Sequence, residues 1–222
     1  MKKFLKIVNS KKVKFVSILT FLLFIYICIL AYSYVYSVSS DLSSSVFRLH
    51  VIANRDSEEY QNIKYKVRDN LIEYMNNLCS DCNSKQEVIE IATNHIGEFK
   101  KIAENTVVSE GYSYPVDVEI GNFSFPTKTY GDISFPSGYY DALRVKIGDA
   151  SGQNWWCVLY PSLCFVDVSS GIVPDESKSD LQNSLSDEEY DIVSNNSNIG
   201  INFKFKIIEL LNNTSLITAR NN

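Results

Sequence analysis

The spacing of apolar and polar positions changes several times along the chain, and each change marks an element. Residues 15–31 are uncharged and almost wholly apolar. Extended to Val35 the run is about twenty residues, enough to cross a bilayer core of roughly 30 Å. Residues 39–45 are a Ser-rich connector. At Phe47 the period becomes two: Phe47, Leu49 and Val51 alternate with Arg48, His50 and Ile52. That predicts a strand with one buried face and one partly polar face. Asn54 and Arg55 interrupt it, and Asp56-Ser57-Glu58-Glu59 reads as a helix start. Asp56 is the expected cap and Glu59 stands at the capping-box position. Tyr60, Ile63, Val67, Leu71, Tyr74 and Leu78 then recur at three and four, with Lys64, Lys66, Arg68, Asp69 and Glu73 between them. An amphipathic helix of about twenty residues follows from this.

Ser84-Lys85-Gln86-Glu87 is a second capping box. Val88, Ala92, Ile96, Phe99 and Ala103 share a face and predict one helix to about Val108, antiparallel to the first. From Gly111 the period is two again, in Val116, Val118 and Ile120; Gly121-Asn122 is expected to turn the chain before Phe123 and Phe125. Residues 126–138 read as loop, and residues 142–147 as another alternating strand. Residues 155–160 are the most apolar run outside the N-terminal segment and predict a central strand, with Trp155 and Trp156 on opposite faces. Residues 175–198 are rich in Ser, Asp, Glu and Asn and read as a mobile excursion with a short helix at 186–192. Residues 201–207 alternate cleanly and predict a last strand. The expected fold is α+β: an N-terminal membrane-targeting helix, then two long packed helices against a mostly antiparallel sheet. Residues 1–14 form a basic cytoplasmic region, 15–35 a signal peptide or signal-anchor, 36–45 the connector, and 46–213 one extracytoplasmic domain.

Charge sets the orientation and narrows the partners. Of 21 Lys and Arg, six precede Phe15 and none lies between it and Ser40, while all 26 acids follow, so the remainder carries a net charge of −11. Lysines on one flank place the N-terminus in the cytoplasm and the domain outside. An acidic ectodomain repels phosphate backbones, which argues against nucleic acid and for a protein partner, with membrane contact through the N-terminal segment.

Chemistry-bearing residues are sparse. Cys79-Ser80-Asp81-Cys82 has the spacing of a redox pair or half a zinc site, and Cys157 and Cys164 would have to complete the latter. In an exported chain Cys157 and Cys164 are better read as a disulfide or structural thiols, since six residues make a loop short enough to close. His95 borders an apolar stripe and reads as a core-edge residue. No paired histidines at metal spacing, Gly-x-Ser-x-Gly or phosphate loop occurs. No catalytic residue, metal or cofactor is therefore assigned. The competing reading is an exported thiol- or metal-dependent hydrolase with His50 beside Cys157 or Cys164. Candidate partner-binding residues are Arg48, His50, Asn54 and Asp56 at the strand–helix corner, with Trp155 and Trp156 as aromatic anchors.

Two blocks carry a family resemblance. His50-Val51-Ile52-Ala53-Asn54, then Asp56-Ser57-Glu58-Glu59, Lys64 and Lys66-Val67-Arg68-Asp69, resemble the opening signature of the stage II sporulation protein R family. Trp155-Trp156-Cys157-Val158-Leu159-Tyr160-Pro161 with Leu163-Cys164-Phe165 resembles its second hallmark. The likeness runs from about Val46 to Asp167, with a weaker echo at residues 204–209. It departs at Arg55, where a small polar residue is expected, and at Ser162, where a second proline is common. The resemblance implies a non-enzymatic signal, made in the forespore and exported into the space between forespore and mother cell. Its implied partner is the extracytoplasmic face of a membrane-embedded sporulation aspartyl protease of the mother cell, which matures the sigma-E precursor.

Overall fold

Strand β1 (Phe47–Ile52) lies inside a sheet that the rest of the domain covers on both faces. The computed structural model describes residues 11–164 and 173–194, which divide after Ser40 into two units. The first unit is helical. Within helix α1 (Lys11–Ser45), the segment Lys11–Leu30 is long and apolar enough to cross a membrane by length and composition. The helix continues through the stretch expected to be a connector. Ser44 and Ser45 donate their hydroxyls back to the Asp41 carbonyl at 2.7 and 3.1 Å, which satisfies them within the helix. Leu42 and Val46 are fully buried in the second unit.

Among the described residues that unit holds a four-stranded sheet in the order β2 (Val116–Phe125), β5 (Gly138–Ile147), β1, β6 (Asn154–Tyr160). The β2–β5 and β1–β6 pairs are antiparallel and the β1–β5 pair is parallel. A parallel pair needs a long crossover, here α2 (Glu58–Leu78), α3 (Lys85–Asn94), α4 (Ile96–Ser109), β2 and two short strands that follow it. The tryptophan strand was expected at the centre; among the described residues it is at an edge, and β1 is inside the sheet. Its apolar character comes from being covered on both faces, which edge strands of a three-layered domain share with central ones.

One face of the sheet packs under the helices. Leu49 and Val51 meet Ile63, Val67, Leu71, Phe99 and Ala103 in a continuous core. The other face is covered too. A hairpin of β3 (Lys128–Tyr130) and β4 (Ile133–Phe135) joins α5 (Asp175–Ser184) and α6 (Asp187–Val193) over Phe125, Tyr140, Ala142 and Val158. The stretch read as loop and residues 175–194 of the stretch read as an excursion thus form the third layer; residues 195–198 lie outside the described residues. Their sequences conceal this because few of the residues buried there are large and apolar: Ile133 and Phe135 in the hairpin, Leu181, Leu185 and Val193 in or between the helices. The strand expected at 201–207 lies outside the described residues.

Three local expectations change. The helix expected to run unbroken to Val108 is kinked at His95, between α3 and α4. Its ladder nearly continues, since His95 donates to the Ile91 carbonyl and Phe99 to that of His95, at 3.0 and 3.1 Å. Gly97 just beyond is a weak helix former, and the kink brings His95 Nδ1 to the Tyr74 hydroxyl at 2.9 Å. Gly121-Asn122 does not turn the chain; ten residues of β2 pair with β5 straight through it. Finally, α2 is preceded by Ser57 rather than Asp56, and Ser57 makes no side-chain cap. Ser84 does cap α3, accepting from Glu87 N at 3.3 Å.

Candidate functional site

The corner after β1 is a clamp on a turn. Asn54 is buried, and its Oδ1 accepts from the Asp149 amide at 2.8 Å. The Asn54 carbonyl accepts from Ser151 twice, from N at 3.1 Å and Oγ at 2.8 Å. The turn between β5 and β6 needs glycine here. Gly148 has φ +57°, and a Cβ on it would collide with the Asn54 amide. Arg55 pairs with Asp149 at 2.8 Å, in the open. Asn54 therefore acts within the fold, and Asp56 alone of the corner candidates stays exposed.

Arg48 and His50 were expected on a displayed polar face; both are buried, because the third layer covers that face. Arg48 enters an aromatic cage, its guanidinium carbon 4.2 Å from the Phe125 ring centroid, 4.7 Å from Tyr140 and 5.6 Å from Phe135. Nη2 donates to the Tyr130 hydroxyl at 2.9 Å, which in turn donates to the Trp156 carbonyl at 2.9 Å. This relay fastens the hairpin to β6. No carboxylate pairs with Arg48 among the described residues, so ring faces and neutral acceptors take its charge. His50 stacks on Trp156, and Asn154 Oδ1 lies 2.7 Å from its Nε2, which makes Nε2 the protonated nitrogen. Burial, reinforced by Arg144, Arg48 and Lys146, lowers its pKa to about 4 against the Asn154 contact. It is a neutral ring wedged in a core, unsuited to act as a base.

Beside these residues a cleft of about 390 Å³ opens along β6, lined by Lys64, Tyr65, Lys128, Tyr130, Trp155 and Trp156, with Cys157, Leu163 and Cys164 deeper. Helix α2 forms one wall, the hairpin the other, and β6 the floor. Trp155 and Trp156 do face opposite layers, each half-buried. Arg68 stacks over Trp155 at 4.1 Å and over Tyr65 at 5.0 Å.

Lys64 was read as part of the polar side of α2. It is only 1% exposed. Its Nζ donates to Gln61 Oε1 at 2.5 Å and to the Gln153 carbonyl at 3.3 Å, and lies 4.6 Å from the Tyr65 centroid. Burial, with Arg68 adding to it and Asp56 opposing, lowers its pKa to about 8. The signal was in the spacing: Lys64 is four after Tyr60 and three before Val67, squarely on the apolar stripe.

Cys157 and Cys164 form a disulfide with Cα atoms 5.4 Å apart. The bond takes both sulfurs from any nucleophile or zinc site. Cys79 and Cys82 are free and line a second cleft of about 430 Å³. Burial and a hydrogen bond to Cys82 push the Cys79 thiol up to about 12, so it stays protonated at neutral pH. Among the described residues no group of three or more His, Cys, Asp or Glu gathers as metal ligands would.

The stage II sporulation protein R family model matches residues 43–170, the stretch that holds the sheet, the helical layer, the hairpin and the cleft. A relative named stage II sporulation protein R, from Bacillus subtilis (strain 168), is 36% identical over 130 residues, which cover 59% of this chain and 58% of the relative. The chain thus spans less than two thirds of the length of that relative. No solved structure matches. Because the family model takes in more than half of the chain and every described strand of its sheet, the chain belongs to the stage II sporulation protein R family.

Proposed function

We propose that this protein is an exported, non-enzymatic signal of endospore formation. It crosses the forespore membrane behind its apolar helix and acts in the intermembrane space, secreted or still anchored by that helix. There it activates a membrane-embedded aspartyl protease of the mother cell, leading to processing of the sigma-E precursor. The observation that carries the reading is one of position. The family's region begins at residue 43, just after the helix of membrane-spanning length, and coincides with a disulfide-bearing domain. Lysines before the helix and a net-negative domain after it favour export, and disulfides persist in oxidising compartments. The competing hydrolase reading loses its thiols to the Cys157–Cys164 bond and its base to the burial of His50.

The test is co-expression of the full chain, the protease and the sigma precursor in a non-sporulating bacterium. Mature sigma factor is expected only when all three are present. Conversion without the protease, or none with the chain exported and the protease intact, would overturn the proposal.

A further inference from the structure

Cys79 and Cys82 stand as two free thiols at the ends of one tight turn. The Cys82 amide donates to the Cys79 carbonyl at 3.2 Å, so the four residues form a hydrogen-bonded β-turn. Such a turn holds its first and fourth Cα within about 7 Å, and disulfides span about 4.4–6.8 Å. The turn is braced at both ends. Before it, the Cys79 amide donates to the Met75 carbonyl at 2.9 Å and closes the last turn of α2. After it, Asn83 donates from Nδ2 to the Asp81 carbonyl at 2.9 Å and from its amide to Glu87 Oε2 at 3.0 Å. Backbone already fixed in this way loses little freedom when a bond closes across it. The side chains share one environment as well. Both are half-buried, both pack against the helical core, and both line the cleft of about 430 Å³. Their thiol groups interact directly. Among the described residues no His, Asp or Glu completes a set of three metal ligands with them, which leaves the sulfurs to each other.

We propose that Cys79 and Cys82 are an oxidisable dithiol, closed to a second intramolecular disulfide by exchange with a small-molecule disulfide, RS–SR. Cys82 attacks one sulfur of RS–SR, the S–S bond breaks, and the Cys82 proton leaves with the first RSH. Cys79 then attacks the Cys82 sulfur of the mixed disulfide, and its proton leaves with the second RSH. Two electrons pass from the cysteines to RS–SR, and nothing else is consumed. The order follows from burial, which holds the Cys79 thiol protonated and leaves the first attack to Cys82. The new bond ties the end of α2 to the segment entering α3, beside Leu159 and Ser162 of the loop that Cys157 and Cys164 already close. Those two cysteines are only 1% and 8% exposed, so their bond should resist exchange that the half-buried pair undergoes. Only the encounter with an oxidant rests on the function proposed above, which puts the domain outside the reducing cytoplasm. The chemistry of the pair does not.

The probe is oxidised glutathione, added to the full chain in detergent micelles, followed by N-ethylmaleimide and trypsin. The Asp69–Lys85 peptide holds both cysteines and no other. Mass spectrometry is expected to find it free of maleimide and two hydrogens lighter than the dithiol. Excess reduced glutathione should restore both thiols while Cys157–Cys164 stays closed. In Cys79→Ser one glutathione should remain on Cys82, and Cys82→Ser should take up glutathione about tenfold more slowly. Two free thiols after the oxidant would overturn the proposal, and so would pairing of Cys79 or Cys82 with Cys157, Cys164 or a second chain. Zinc retained by the pair in stoichiometric amount would overturn it too, and equal uptake by the two variants would overturn the order of attack. The parent's result decides by itself should either variant fail to fold. Closure of the bond without sigma-factor processing in the co-expression assay would sink the proposed function alone; processing with the pair inert would sink the dithiol alone.

Discussion

His50 and Trp156 stack across the β1–β6 pair with ring centroids 3.6 Å apart and planes 14° from parallel. They are directly opposite in the register, which is why adjacent strands bring the rings face to face. One face of Trp156 is thereby committed to the interior.

That stack makes the domain acid-sensitive. The folded pKa of His50, about 4, lies below its ordinary 6.5, chiefly through burial. The unfolded chain therefore binds the proton more readily, and stability falls as pH drops from about 6.5 to about 4. The loss approaches about 3 kcal/mol. Denaturant titrations across that range should show it, and His50→Phe, which keeps the ring, should remove most of it. An unchanged pH profile in His50→Phe would contradict the assignment.

Arg48 should behave as a core residue. Arg48→Ala leaves a cavity between Phe125 and Tyr140 and is expected to cost about 3–5 kcal/mol. Arg48→Met refills the cage without a charge to bury and should cost less than about 2 kcal/mol. Equilibrium unfolding separates the two. Equal, small effects would mean that the cage is open to solvent.

At the corner, Asn54→Ala orphans the Asp149 amide and should cost about 1–3 kcal/mol. Gly148→Ala should be comparably damaging, because its φ is positive and the added methyl meets Asn54. Asp56→Ala is expected to stay within about 0.5 kcal/mol. If Asp56 were the helix cap, its loss would approach that of Asn54, and melting temperatures would show it.

Replacing Cys157 and Cys164 with Ala opens a short loop and should lower stability by roughly 2–3 kcal/mol. Processing of the sigma precursor should persist in whatever fraction remains folded. A double variant of native stability that no longer signals would revive the thiol chemistry.

The sequence by itself determined what depends on local periodicity and on charge order. The lysine-flanked apolar helix, the β1–α2 unit, the Ser84 cap, the alternating strands and the closable Cys157/Cys164 loop are each written within a few residues of themselves. Tertiary structure decided which faces are covered. A period of two shows that Arg48 and His50 share a side of β1, but not that a hairpin more than eighty residues away and two helices beyond it close over that side. The same long-range packing put β1 between β5 and the tryptophan strand, drew β2 straight through Gly121-Asn122, and turned Asn54 from a displayed amide into a clamp. Lys64 shows the limit most plainly. Its place on the apolar stripe is legible, but the ring, carbonyl and cleft that give it a role come from Tyr65, Gln153 and Trp155, and only folding brings the last two of these to it.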